Sequence, residues 1–323
     1  MEWDVLIAIF PSVVVDGLVL GFVYAMIALG YTMVYGVLQM INFAHSEIFV
    51  TGAFVGAEIL LIMQAGGTLG ALHPLALLAV IVLVAMLVSA VLAVAVERIA
   101  YRPLRGAPRL IPLISAIGVS FFLQDAIRLV ESLWRNAFYL TYPVVEFFDL
   151  RIAIAGDIDV PIKSILVVVA SLLMLVVLTL FVNRTRLGTA IRAVAEDQAA
   201  AGLMGINVGR MISLTFLIGG AMGGAAGALF GVQFGTINPY TGFIPGIKAF
   251  TAAVLGGIGN VPGAMVGGLV LGMLETLAAS YMSLLTGGAF GAEYKDIFAF
   301  SVLILILMFR PRGLLGEVVR EKL

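Results

Sequence analysis

HPLALLAVIVLVAMLVSAVLAVAV, residues 73 to 96, holds no charged side chain, and only His73 and Ser89 interrupt its apolar run. At ~1.5 Å per helical residue such a run crosses the ~30 Å hydrocarbon core of a bilayer. Comparable runs lie at 17 to 40, 43 to 63, 110 to 130, 164 to 182, 211 to 234, 263 to 285 and 294 to 309, which makes eight spans with the first. Residues 5 to 15, stopped by Pro11 and Asp16, read as an N-terminal interfacial helix, and residues 248 to 258 as a short re-entrant segment. The expected fold is an all-α polytopic membrane protein with one transmembrane domain over residues 1–323.

Composition agrees. Apolar residues make up 62% of the chain and charged residues 11%, against about 45–50% and about 25% in a soluble domain. Thirty-seven glycines suit close helix packing in lipid, and the lack of cysteine removes any thiol nucleophile, disulfide or cysteine zinc site. A net charge of -1 leaves no basic surface for nucleic acid, and no metal site is expected. Neither a GxxxxGK[ST] phosphate loop nor an HExxH motif is present, and His45 and His73 stand alone, so any ATP hydrolysis falls to another chain.

Basic residues cluster. None precedes Arg98, and then Arg98, Arg102, Arg105 and Arg109, Arg184, Arg186, Arg192 and Arg210, and Arg310, Arg312, Arg320 and Lys322 account for twelve of the eighteen. Positive loops stay on the cytoplasmic side, which places the N-terminus outside and the C-terminus inside. Residues 131–163, with Glu131, Glu146, Asp149, Asp157 and Asp159, then form a periplasmic segment, and residues 183–210 a cytoplasmic one. The start, MEWD, lacks the positive region of a cleaved signal peptide.

Two inside turns, Ile41 to His45 and Gly259 to Gly263, carry no basic residue. They are either tight surface loops or breaks within the protein, tolerated where irregular backbone is buried or lines a cavity. Gly36-Val37 leading to Ile41-Asn42 is echoed by Gly231-Val232 leading to Ile237-Asn238, and a two-fold internal repeat is expected from it. Gly219, Gly223, Gly227 and Gly231, each four apart, read as one close-packing face, serving either static packing or a sliding contact. Glu47, Glu58 and Glu275 are the ionisable residues within apolar runs. Glu47 and Glu58, eleven apart with Thr51 between, fall on one face as a polar stripe that either lines a pathway or reaches water at a helix end. Between Asn183 and Met211, residues Ile191, Val194, Ala195, Gln198 and Ala201 recur at helical spacing and Arg192 can pair with Glu196, which describes a short amphipathic helix.

Four stretches carry a resemblance: GFVYAMIALGYTMVYGVLQMINFAH (21 to 45), TRLGTAIRAVAEDQAAAGLMGI (185 to 206), AAVLGGIGNVPGAMVGG (252 to 268) and FRPRGLLG (309 to 316). In that order the chain resembles the LivH-type permeases of branched-chain amino acid ABC importers over nearly its whole length. The resemblance implies a second LivM-like permease subunit, two cytoplasmic ATP-binding subunits, a periplasmic amino-acid-binding protein, and an inner-membrane location. It implies no cofactor in this chain, ATP being bound by the partner subunits. Ala199-Ala200-Ala201-Gly202 with Gly205 looks like the Glu-Ala-Ala-x-x-x-Gly loop that seats such permeases in their ATPases, with Ala199 in place of the acidic residue and Glu196 and Asp197 just upstream. Arg186, Arg192, Glu196, Asp197, Gly202 and Gly205 are therefore the candidate coupling residues. After Asn42-Phe43-Ala44-His45 the family has glycine where this chain has Ser46, and a hinge there is expected to be stiffer.

The implied activity is alternating access driven by ATP, with amino-acid selectivity residing mainly in the binding protein. A path for a zwitterion needs hydroxyls, amides and half-helix ends, and Asn42, His45, Ser46, Glu47, Thr51, Asn238 and Thr241 are its candidate residues. A urea or short-chain amide permease is the alternative within this class. An ATP-independent secondary transporter is the rival outside it, and a membrane enzyme lacks a nucleophile and base cluster.

Overall fold

The structure, a computed structural model, describes residues 3–108, 110–155 and 158–316; Arg109, Asp157, Arg320 and Lys322 lie outside them. The helices in chain order are α1 (Trp3–Leu38), α2 (His45–Ala65), α3 (Pro74–Val96), α4 (Leu110–Trp134), the one-turn α5 (Glu146–Asp149), α6 (Ile162–Arg184), α7 (Arg186–Glu196), α8 (Gln198–Leu203), α9 (Val208–Phe234), α10 (Phe243–Gly256), α11 (Val261–Leu285) and α12 (Lys295–Phe309). A π-helical turn, Glu97–Tyr101, and a 3-10 turn, Arg102–Leu104, extend α3. Strand β1 (Leu140–Thr141) pairs antiparallel with β4 (Thr236–Ile237), and β2 (Arg151–Ala155) with β3 (Ile158–Pro161), so two small ribbons join an otherwise helical fold.

Among the described residues, seven helices are long and apolar enough to cross a membrane: α1, α2, α3, α4, α6, α9 and α11. Two of the stretches read from sequence look different in the structure. The last, α12, has only 15 residues, about 22 Å of helix. Residues 5 to 15 are no separate interfacial helix, because α1 runs unbroken through Pro11 for 36 residues. A proline removes one backbone hydrogen bond, which breaks helices in water but is tolerated in apolar surroundings where neighbours re-satisfy the backbone. The hydroxyl of Tyr281 donates to the Leu6 carbonyl at 3.0 Å and holds this early part of α1 to α11.

Side chains in the three-dimensional fold explain where helices start. His73 Nδ1 accepts from the Leu75 amide at 3.3 Å ahead of Pro74, Asp197 caps α8 through the amides of Ala199 and Ala200, and Asn207 and Asn260 cap α9 and α11. Each satisfies amides that the first helical turn leaves free.

The centre of the bundle is α9, the most buried of the long helices, while α6 and α4 are the most exposed and present large apolar side chains as a lipid-facing helix does. The glycines of α9 do not share one face. Gly219 meets Gly30 and Val34 of α1, Gly223 meets His45 and Ile48, Gly227 meets Phe49 and Ala53, and Gly231 meets the Tyr142 ring. Residues four apart advance 400°, so each step drifts 40° and the row passes from α1 to α2 to the loop beyond β1. A side chain at Gly227 would run into the Phe49 carbonyl.

Candidate functional site

Helix α1 ends at Leu38, Gln39 takes a left-handed conformation (φ 52°), and the chain turns back before α2 begins at His45. His45 does not lie level with the end of α1. It packs on Gly30, roughly two turns earlier, and on Gly223 near the middle of α9. The start of α2 is therefore inside the bundle, and Asn42, His45, Ser46 and Glu47 are all buried. Of the two readings left open by the uncharged Ile41–His45 turn, the break within the protein is the one the burial supports.

A second break arrives at the same place. After α9 is stopped by Gly235 (φ 80°), residues 235–242 run through β4, and α10 begins with Gly242 and Gly246 seated on Ser46. Side chains at Gly242 and Gly246 would collide with Val50 and with the Ser46 Cβ, which is why two interrupted helices can meet here. The stiffer hinge expected from Ser46 is corrected: Ser46 is the second residue of α2, already helical, and its hydroxyl donates to the Phe43 carbonyl at 2.8 Å. What glycine would change at this position is contact with Gly246.

Four polar groups at this junction lack partners. Tyr101 donates to Asn42 Oδ1 at 2.7 Å, but Asn42 Nδ2 is unpaired. Both nitrogens of His45 are unpaired, with the Tyr31 ring edge-on at 4.6 Å. Glu47 Oε1 accepts from Ser120 at 3.2 Å and lies 3.3 Å from the Ser46 hydroxyl, whose proton goes to Phe43, whereas among the described residues Oε2 has no donor. A buried polar atom without a partner costs about 1–3 kcal/mol, so a cluster of them marks a place where a polar ligand or water is accommodated. Thr51 takes no part, because its hydroxyl bonds back to the Glu47 carbonyl. Asn238 and Thr241 serve the second break itself: the Tyr240 amide donates to Asn238 Oδ1 and the Asn238 amide to Thr241 Oγ1, both at 2.8 Å.

Glu47 and Glu58 do share one face, both turned to α4. Glu58 reaches Arg135 just past its end, with Nη2 donating at 2.7 Å and Nε forming a second bond. It is an ion-paired helix-end residue, and Glu47 is the deep one. Tyr142 donates to the Ala53 carbonyl beneath Gly231, and burial pushes its phenol up, keeping it a donor.

Lys248 was missing from the sequence-based candidates. Glu275 accepts from Lys248 at 2.8 Å, Lys295 at 2.9 Å and Tyr24 at 2.7 Å, and Lys248 also reaches Asp296 at 2.7 Å. Two ammonium and two carboxylate groups thus join α10, α11 and α12, and Tyr24 adds α1. The signal existed: Lys248 is the only Lys or Arg between Arg210 and Lys295, and Glu275 the only carboxylate between Asp197 and Glu293. No such signal marked Tyr101 or Ser120, which approach from other helices.

The polar segment after α6 forms two helices, not one, broken where Asp197 caps α8. Of the predicted face, Ile191, Val194 and Ala201 are buried beneath them, Ala195 is half-buried and Gln198 is exposed, because the break at Asp197 turns it outward. Arg192 does not pair with Glu196; its guanidinium bonds the Val182 carbonyl and Asn183 Oδ1 and closes the end of α6. Arg186, Glu196, Asp197, Gly202 and Gly205 are exposed, and Gly205 ends α8 with φ 82°. Beside them Leu203 and Met204, 89% and 83% exposed, form an apolar tip that sequence reasoning passed over. Among the described residues no group of His, Asp or Glu converges as metal ligands would.

A family model described as the permease component of branched-chain amino acid transport systems matches residues 13–307. The chain is 46% identical over 311 residues to the high-affinity branched-chain amino acid transport system permease protein BraD of Pseudomonas aeruginosa, covering 95% of this chain and 96% of that one. It is 43% identical over 316 residues to the LivH permease protein of the same kind of system in Escherichia coli K12, with the same coverage. A probable LivH of Methanocaldococcus jannaschii is 26% identical over 293 residues, 90% of this chain and 88% of its own. No solved structure matches.

Proposed function

This chain belongs to the family of branched-chain amino acid transport permease components, and from that premise we propose that its path for substrate runs past the junction of α2 and α10. It is a multi-pass permease subunit of a branched-chain amino acid ABC transporter, and the relatives favour that substrate class over urea or short-chain amides. The observation that carries the path is the set of unpaired buried polar atoms on Asn42, His45 and Glu47 at the start of α2. The unpaired Asn42 Nδ2 can donate to a carboxylate, and Glu47 Oε2 suits an ammonium, which together match a zwitterion. Asn238 and Thr241 shape the return of the second break and do not line the path through their side chains.

Nine crossings support the orientation, with α10 and α12 as short ones beside the seven long helices. An odd number puts the termini on opposite faces, and it collects Arg98, Arg102 and Arg105, Arg184, Arg186, Arg192 and Arg210, and Arg310 and Arg312 on one side, which the positive-inside rule makes the cytoplasm. The same packing supports an inverted two-fold repeat of α1–α2–α3 and α9–α10–α11. The two most extensive helix contacts, α1 with α11 and α3 with α9, exchange under it, and both repeats break after their first helix.

On the cytoplasmic side, α7 and α8 with Leu203 and Met204 form the dock for an ATP-binding partner, where hydrolysis takes place. A second permease subunit, two such ATPases and a periplasmic binding protein complete the importer. The test is uptake of radiolabelled leucine by cells that express this chain with its partner subunits. Uptake that needs both this chain and an intact ATPase supports the reading; purified chain alone moving leucine along an ion gradient in liposomes would refute it.

A further inference from the structure

We infer that the groove between the end of α3 and the start of α9 binds the phosphate headgroup of an anionic phospholipid. The groove encloses about 430 Å³, and Val94, Arg98, Arg102, Arg210, Ser213 and Leu217 line it. Arg98 and Arg102 are one turn apart just past the apolar run of α3, and Arg210 is in the first turn of α9. Among the described residues none of the three guanidinium groups meets a carboxylate, since the neighbouring Glu97 is held by Arg105 and Ser213. Three like charges around one groove repel each other unless an anion lies between them.

Apolar surface continues from the charges toward the middle of the membrane. Leu83, Leu87 and Val91 of α3 are 63%, 65% and 62% exposed, and Leu217 of α9 is 43% exposed two turns beyond Arg210. Cations at the helix ends with open apolar flanks behind them have the layout of a phospholipid, headgroup at the interface and acyl chains alongside. A free phosphate would use the arginines and leave the flanks unused. The placement follows from the end of an apolar run alone, so it stands whichever face is cytoplasmic and whatever the importer carries.

Native mass spectrometry of the purified chain titrated with phosphatidylglycerol, and with phosphatidylcholine as the neutral control, tests this. Phosphatidylglycerol is expected to be retained preferentially. Each of R98Q, R102Q and R210Q should weaken it about five-fold, while R184Q and R186Q, which remove the same charge elsewhere, leave it unchanged. Equal retention of both lipids, unchanged affinity in the three variants, or displacement of the lipid by millimolar inorganic phosphate overturns the inference. So does a photoreactive group at Leu217 that captures a protein subunit and not lipid in the assembled importer.

Discussion

Glu47 has the Ser120 hydroxyl as donor on one oxygen and none on the other, deep in the bundle and away from any lysine or arginine among the described residues. If its free oxygen receives the substrate's ammonium, Glu47→Gln keeps the Ser120 bond and removes the charge. A charged hydrogen bond contributes about 1.5–3 kcal/mol, so leucine uptake is expected to fall roughly ten-fold or more, measured as initial rate at matched protein levels. Unchanged uptake would take Glu47 off the path. Tyr101→Phe tests the neighbouring contact: losing the donor to buried Asn42 Oδ1 should cost about 1–3 kcal/mol, read as a lower thermal midpoint in detergent. At this scale the sequence was a partial guide. Asn42, His45 and Glu47 stood out as polar residues in apolar surroundings, but their partners Tyr101 and Ser120 sit 59 and 73 residues away, and nothing local announces a meeting made by tertiary packing.

At the scale of elements, the charged network around Lys248 holds the short α10 in place. A buried ion pair is a weak source of stability, yet removing one partner strands the other charge and costs about 3–5 kcal/mol. Lys248→Met alone leaves Glu275 with Lys295 and Tyr24, so it is expected to lower stability by less than that, about 1–3 kcal/mol read from the thermal midpoint, and Lys248→Met combined with Glu275→Leu to recover part of it. A double variant as unstable as the single one would show that the pair itself is indispensable. The shortness of this helix also explains why the sequence reads as a re-entrant segment there. A window of about 20 residues finds spans by counting apolar length, and α10 has 14 residues because it begins within the bundle, on Ser46. Likewise Pro11 and Asp16 look like stops in isolation, but tertiary contacts carry α1 through them.

For the whole molecule, most of the plan was legible from sequence, since lipid rewards long apolar runs and the basic residues report sidedness. Depth was not: both breaks look like loops in one dimension. Cysteines provide the check on orientation. Leu203→Cys is expected to react with an impermeant thiol reagent only from the cytoplasmic side, and to crosslink to an ATP-binding subunit in the assembled importer. Arg151→Cys, in β2, should react from the opposite side. Labelling of both from one face would overturn the nine crossings.

The FRPRGLLG segment bears on how the chain is made. The amides of Leu314 and Leu315 donate to the carbonyls of Leu255 and Gly256 at 2.7 and 3.0 Å, and Asn260 Nδ2 reaches the Leu315 carbonyl. These bonds satisfy the last two carbonyls of α10, the Val254 carbonyl before them being met by the Gly257 amide. During synthesis α10 leaves the ribosome some 60 residues before its cap, and two further helices must insert first. Helix α10 therefore stays open-ended until the final stretch arrives, and translation that halts after α12 would yield a bundle with its helices in place and the far end of α10 unfastened.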